Sequence, residues 1–204
     1  MKIIKHQKQE EENIVKQVAH ALLEEKLVIL PTDTVYGVMA LASNEEAVKH
    51  LYQAKGRDLS KPTALLMSSL EMAQEYIGNG LVSKLGKRFW PGPLTIIAEA
   101  KVKIGNWPKL GIRVPDELFL LQVLEQVGRP VMASSANLAG EKPPTGLSQV
   151  SSEIANYADI AVDKGSTILK VESTIIELAD NSFRIVREGP ITKEEIEHFI
   201  RLPR

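Results

Sequence analysis

The stretch from Leu27 to Gly37, Leu-Val-Ile-Leu-Pro-Thr-Asp-Thr-Val-Tyr-Gly, constrains the fold most. Its first four residues form a short apolar run with the β-branching of a buried strand. Pro31 is expected to end that run, because a residue without a backbone N–H cannot continue a central ladder. Two hydroxyls, a carboxylate, a phenol and a glycine then follow within six residues. Polar groups crowded at the end of a buried strand sit where open α/β sheets bind ligands. An ordinary turn after a strand would use the same residue types.

Helical and strand-like segments alternate along the rest of the chain. A helix is predicted over 10–25, with Ile14, Val18, Ala21 and Leu22 on one face and Glu10 to Glu12 at its start. Asn44 caps a second helix, which Gly56 ends. Residues 63–67 read as a strand and 69–77 and 81–89 as helices, before the break Trp90-Pro91-Gly92-Pro93. Strands are expected at 94–98, 111–114 and 131–133, with Asp116 opening a helix that runs to Val127. A loop rich in Gly and Pro follows over 138–146, then a helix at 147–156 and strands at 159–162, 172–178 and 183–187. Thr192 and Glu195 form a capping box for the last helix. Such alternation specifies an α/β fold, a mixed sheet packed with helices. With no repeat or long linker, one domain over 1–204 is expected, its core at about 10–190.

Composition removes several kinds of chemistry. The 204 residues include no cysteine, which excludes disulfides, thiolate catalysis and Cys-based zinc sites. Histidines 6, 20, 50 and 198 are scattered without metal-ligand spacing, and no Ser-His-Asp set can be assembled. Neither GxxxxGK[ST] nor GxGxxG occurs. A net charge of −1 argues against a general basic coat for nucleic acid, although a local patch stays open. The N-terminus lacks an apolar signal segment and no stretch reaches membrane-spanning length, so a cytoplasmic location is expected. What remains is Lys, Arg, Ser, Thr and Asn, a set that neutralises and positions phosphates.

Three cations, Lys55, Arg57 and Lys61, fall within seven residues just past a helix end. With Gly56 allowing close approach they suit a polyphosphate; cations there would equally complement the helix dipole. Ser134-Ser135-Ala136-Asn137 follows an apolar strand and could bind phosphate oxygens or make a turn. Arg113, in Gly-Ile-Arg-Val-Pro, is costly to bury unpaired, so it points outward or meets an anion, near the sheet's edge. Glu172-Ser173-Thr174 and Arg187-Glu188-Gly189 place polar residues beside apolar strands.

Taken in order, these blocks resemble the YrdC family, the threonylcarbamoyl-AMP synthases. The resemblance rests on Pro31 to Gly37, Lys55-Gly56-Arg57, Lys61-Pro62, Pro91 to Thr95, Gly111 to Pro115, Ser135-Ala136-Asn137, Glu172-Ser173-Thr174 and Arg187-Glu188-Gly189, and spans about residues 10–190. It implies a twisted mixed sheet with surrounding helices and a concave, positively lined cavity. It implies synthesis of threonylcarbamoyl-adenylate from L-threonine, bicarbonate (or CO2) and ATP with Mg²⁺, releasing pyrophosphate. Partner proteins would then transfer the threonylcarbamoyl group to the tRNA adenosine beside the anticodon, with possible tRNA contact by this chain. By the same resemblance Thr34, Arg113 and Ser173 meet threonine, Arg113 through its carboxylate. Lys55 and Arg57, with Ser135 and Asn137, form the catalytic KxR and SxN pairs. Arg57, Lys61, Ser135, Asn137, Thr145 and Arg187 hold ATP.

Asp33 stands where the family often has Glu, and Ser134 where it often has Thr. Lys109 replaces a small hydroxyl four residues before Arg113, which leaves a nucleotide contact there open. An end near residue 204 fits the family's short form without an extra C-terminal domain. The rival readings are a non-catalytic module that binds RNA, including double-stranded RNA, a carbamoyl-adenylating enzyme of hydrogenase maturation, and an inert scaffold. Scarce aromatics disfavour the first, and the absence of cysteine disfavours the second.

Overall fold

A computed structural model describes residues 1–59, 61–78, 80–179 and 182–201; Ser60, inside the basic segment, lies outside them. The first half of the chain forms β1 (Lys2–Lys5), α1 (Glu11–Leu23), β2 (Val28–Pro31), β3 (Tyr36–Leu41), α2 (Glu45–Lys55), β4 (Ala64–Leu66), α3 (Leu70–Tyr76), α4 (Gly80–Phe89) and β5 (Leu94–Glu99). The second half forms β6 (Lys109–Arg113), α5 (Leu118–Val127), β7 (Val131–Ser135), α6 (Ser152–Tyr157), β8 (Ile160–Asp163), β9 (Thr174–Ala179), β10 (Ser182–Arg187) and α7 (Lys193–Arg201). Among the described residues the ten strands make one sheet, ordered β1-β8-β2-β3-β7-β4-β6-β5-β9-β10. Parallel and antiparallel pairs mix, as expected for this α/β fold.

Local chemistry explains the best-defined ends. The Asn44 carboxamide accepts from Ala47 N, and Gly56 closes α2 in the left-handed conformation (φ 56°). Thr192 N donates to the Glu195 carboxylate at 2.7 Å and Glu195 N to the Thr192 hydroxyl at 3.2 Å, the expected capping box.

Several expectations are corrected. Pro31 belongs to β2, paired with Tyr36; β8 pairs only with Val28 and Ile29, so no neighbour needs the N–H that Pro31 lacks. The Pro-Thr-Asp-Thr-Val-Tyr segment is therefore a hairpin, and Tyr36–Leu41 is a fully buried strand to which the sequence reading assigns no element. Glu117, not Asp116, caps α5, accepting from Phe119 N at 3.2 Å. The span 147–156 splits into a 3-10 turn and α6, because Val150 and Ser151 are extended. Ser134 and Ser135 lie within β7, opposite Val38 and Gly37. Arg113 ends β6, which sits between β4 and β5, so it is far from either sheet edge.

Alternation along the strands divides the core. Val28, Leu30, Met39 and Leu41 face α1 and α5, packing with Val18, Leu22, Phe119 and Leu124. Ile29, Val38 and Ala40 face the other way, with Leu51, Leu85, Ile154 and Ile196. On the α1/α5 face, helices cover β8, β2 and β3. Beyond them the same face carries the register pairs Gly37–Ser135, Ala64–Ala133, Leu66–Arg113 and Thr95–Ile175, every member of which lines one cavity. The ligand space thus lies over the sheet, where small side chains leave room, and not only at strand ends.

Candidate active site

This cavity measures about 730 Å³. The β2–β3 hairpin supplies one wall. Its turn is self-bonded: the Thr32 hydroxyl accepts from Thr34 N (3.0 Å) and Val35 N (3.1 Å) and lies 2.8 Å from the Val35 carbonyl. That fixes Thr34 Oγ1, which receives Arg113 Nη1 at 2.9 Å.

Arg113 is the buried centre of the site. Its Nε donates to the Gly92 carbonyl at 3.0 Å and its Nη2 to the Asp33 carboxylate, with side-chain exposures of 6% for Arg113 and 4% for Asp33. Burial holds the Arg113 guanidinium below its usual range, and the Asp33 carboxylate opposes that shift. The anion that Arg113 required is thus internal. Three of the five guanidinium donors are used, which leaves two for an incoming anion.

Lys55 projects from the last turn of α2 toward β7. Its ammonium donates to the carbonyls of Ser135 (2.6 Å) and Asn137. Neither acceptor carries a formal charge, so the positive charge remains for a ligand. Burial pushes this ammonium down to about 8, helped by Arg57 and opposed by Glu172 and Glu141. Arg57 Nη2 reaches the Pro62 carbonyl at 2.9 Å, and Arg57 and Lys61 line the cavity mouth as exposed residues.

The opposite wall is the start of β9. Arg187 donates through Nε to the Ser173 carbonyl (3.0 Å), through Nη1 to Glu172 (2.7 Å) and through Nη2 to the Ser173 hydroxyl (3.1 Å). That hydroxyl also meets Thr95 Oγ1 at 2.9 Å. Gly189 makes this approach possible, since a Cβ there would lie 2.4 Å from Thr174 N and 2.7 Å from the Glu172 carbonyl. Thr174 itself is structural, exchanging bonds with Ile191 N and O.

Of the residues expected at the site, Thr34, Lys55, Arg57, Lys61, Arg113, Ser135, Asn137, Ser173 and Arg187 line this cavity. Asn137 donates its Nδ2 to the Leu138 (3.0 Å) and Glu141 (2.9 Å) carbonyls, and its main-chain oxygen holds Lys55. Thr145 is not brought to the wall; its N–H and hydroxyl both reach Gln149 Oε1, at 2.8 and 3.1 Å. Lys109 pairs with Glu177 (2.8 Å) and Glu99 (3.5 Å), away from the cavity. Sequence reasoning missed Thr95 and the role of Asp33. The signal for Asp33 was present, because a carboxylate beside buried strands needs a cation as much as Arg113 needs an anion.

Anion binding here will depend on pH. The ligand favours charged Lys55, and in the empty site that charge disappears as pH rises through about 8. Affinity for a polyanion such as tripolyphosphate, measured by calorimetry from pH 7 to 9.5, is expected to fall above pH 8 by up to about tenfold per unit, one proton being taken up on binding. Lys55→Arg should flatten this profile.

Comparison with known proteins gives the family and the fold. The model of the Sua5, YciO and YrdC proteins, described as "Telomere recombination", matches residues 20–189. The chain belongs to the Sua5/YciO/YrdC family. Within that family it is 36% identical over 194 residues to the threonylcarbamoyl-AMP synthase of Bacillus subtilis, covering 91% of this chain and 56% of the relative. It is 32% identical over 200 residues to a putative threonylcarbamoyl-AMP synthase of Methanocaldococcus jannaschii, covering 96% and 95%. The P. abyssi Sua5 structure complexed with L-threonine superposes with a TM-score of 0.88 at 32% identity, covering 98% of this chain and 60% of that one. E. coli YciO shares the Sua5/YciO/YrdC fold, with a TM-score of 0.83 at 18% identity, 96% of this chain and 98% of that one being covered. The chain spans 56% and 58% of the length of its B. subtilis and P. abyssi curated relatives. No helix among the described residues is long and apolar enough to cross a membrane.

Proposed function

We propose that the chain makes L-threonylcarbamoyladenylate from L-threonine, bicarbonate or CO2, and MgATP, with release of pyrophosphate. One observation carries the reading: cations from three distant segments, Lys55 with Arg57 and Lys61, Arg113, and Arg187, face a single cavity. Arg113 and Arg187 are matched by Asp33 and Glu172, whereas Lys55 rests on carbonyls alone. Arg113, enclosed beside its carboxylate partner, suits a small zwitterion bound by hydrogen bonds, and Lys55 a polyanion. The threonine-bound relative and the synthase names of other relatives support this assignment.

In this reading threonine's carboxylate takes the two remaining Arg113 donors, with Thr34 and Ser173 beside it. Its amine adds to CO2, losing a proton and forming a carbamate. A carbamate oxygen then attacks the α-phosphorus, and the bond to the bridging oxygen breaks as pyrophosphate leaves. The barrier is the meeting of two anions, and Lys55, Arg57 and Lys61 lower it as charge moves onto the leaving group. Among the described residues no group of three or more His, Cys, Asp or Glu could cage a metal. Mg²⁺ brought in with ATP would neutralise charge on the transferring phosphates. The labile product is suited to transfer by partner proteins to the tRNA adenosine beside the anticodon.

Purified protein given all three substrates should release pyrophosphate, and omission of threonine should abolish release in a coupled phosphate assay. Equal release without threonine overturns the assignment.

A further inference from the structure

Two cavities share one wall. Between α2 and β4, residues 56–62 present Arg57, Asp58 and Lys61 to the active-site cavity and Leu59 to a second cavity of about 790 Å³. That second space is lined by Val48, Tyr76, Ile104, Trp107 and Met132, among others. The described part of this segment is neither helix nor strand; Lys61 N donates to the Asp58 carbonyl and Arg57 N to the Tyr52 carbonyl, both at 3.0 Å, and contacts from outside add to these local bonds. The Tyr52 hydroxyl donates to the Lys61 carbonyl at 2.7 Å and receives the Thr63 hydroxyl at 3.1 Å. Trp107, in the β5–β6 connection, donates its indole N–H to the Leu59 carbonyl at 3.3 Å. The Tyr52 and Trp107 rings lie 6.2 Å apart, tilted by 32°.

We infer that Trp107 is a positioning residue for polyphosphate binding, holding the Leu59 carbonyl, between Arg57 and Lys61 in the chain, so that both cations face the cavity. The inference rests on the reading that this cavity takes a nucleoside triphosphate. Arg57 and Lys61 are exposed on long, flexible stems, and their reach depends on where their backbone stands. Leu59 is midway between them, and Trp107 fixes its carbonyl from outside the active site. Without that bond the segment can relax toward the second cavity, and ATP must then supply the ordering. The proposed threonine contacts, Arg113, Thr34 and Ser173, are held by other elements and do not depend on it.

The test uses Trp107→Phe, which keeps a ring but loses the N–H donor, and Trp107→Ala, which loses both. KM for ATP is expected to rise about three- to tenfold in Trp107→Phe and further in Trp107→Ala, with kcat lowered as well, because Arg57 and Lys61 also meet the leaving group, and with the threonine KM unchanged. A second readout needs no turnover. The chain has two tryptophans, and Trp90 is buried with its N–H on the Leu94 carbonyl at 2.6 Å. Adding ATP or tripolyphosphate should change wild-type emission, and that change should vanish in Trp107→Phe. Tripolyphosphate affinity, measured by calorimetry, should weaken in both variants. These two results would support the inference even in a protein with no threonine-dependent pyrophosphate release. Unchanged ATP and tripolyphosphate affinity in both variants overturns it, whatever the activity. A parallel rise in both KM values with a lowered Tm also overturns it, since that would mean a general structural role.

Discussion

Replacing Arg113 with methionine is expected to cost about 3–5 kcal/mol of stability, because it leaves a buried carboxylate without its cation. The partner is Asp33, whose side chain is 4% exposed and whose Oδ2 has no hydrogen bond among the described residues. Urea unfolding would measure the loss as a lower midpoint at unchanged slope. Adding Asp33→Asn to the same chain removes the stranded charge and should recover most of the stability. It should not recover threonine-dependent pyrophosphate release, because the guanidinium proposed to take the carboxylate is still missing. Arg113→Lys keeps a charge but cannot reach Gly92, Thr34 and Asp33 with one fork, so it should fall between. Wild-type stability in Arg113→Met would mean that Asp33 carries no buried charge. Threonine dependence surviving in that variant would remove Arg113 from the substrate site.

Lys55→Met is expected to reduce turnover by at least about a hundredfold, the size seen when a preorganised donor to developing charge is removed. Stability should change by less than about 1 kcal/mol, since burial already disfavours the Lys55 charge and its acceptors are two neutral carbonyls. Pyrophosphate release and thermal unfolding on the same preparation separate these effects. Near-normal turnover would exclude Lys55 from the reaction. A collapsed Tm would instead make the lysine a clasp between α2 and the end of β7.

The sequence disclosed what is local. Asn44, Gly56, Thr192 and Glu195 mark helix ends because a cap is settled within a few residues. Lys55, Arg57 and Lys61 were visible as a cluster for the same reason. Hidden features depend on partners far along the chain. β1 is a short, largely exposed strand that exists because Lys2 to Lys5 pair with Ile160 to Asp163. β3 was obscured because Asp33 just before it and Gly37 inside it are common turn formers. Asp33 and Arg113 each signalled an unmet electrostatic need, but they lie 80 positions apart, and nothing linear joins them. Placing the cavity over the sheet needed strand register, which fixes where Gly37, Ala64 and Ala133 meet.

The insertion of β8 between β1 and β2 bears on how the molecule is made. During translation both earlier strands leave the ribosome more than a hundred residues before the strand that must separate and bridge them. Until Ile160–Asp163 emerges, one side of β2 is an open edge and β1 has no ladder to join. Such long-range parallel pairing is slow to close and vulnerable to wrong partners while it waits. The strands β3 to β7 thus wait beside an open wing until β8 emerges, and the Ser173 and Arg187 wall at β9 and β10 is translated only after it.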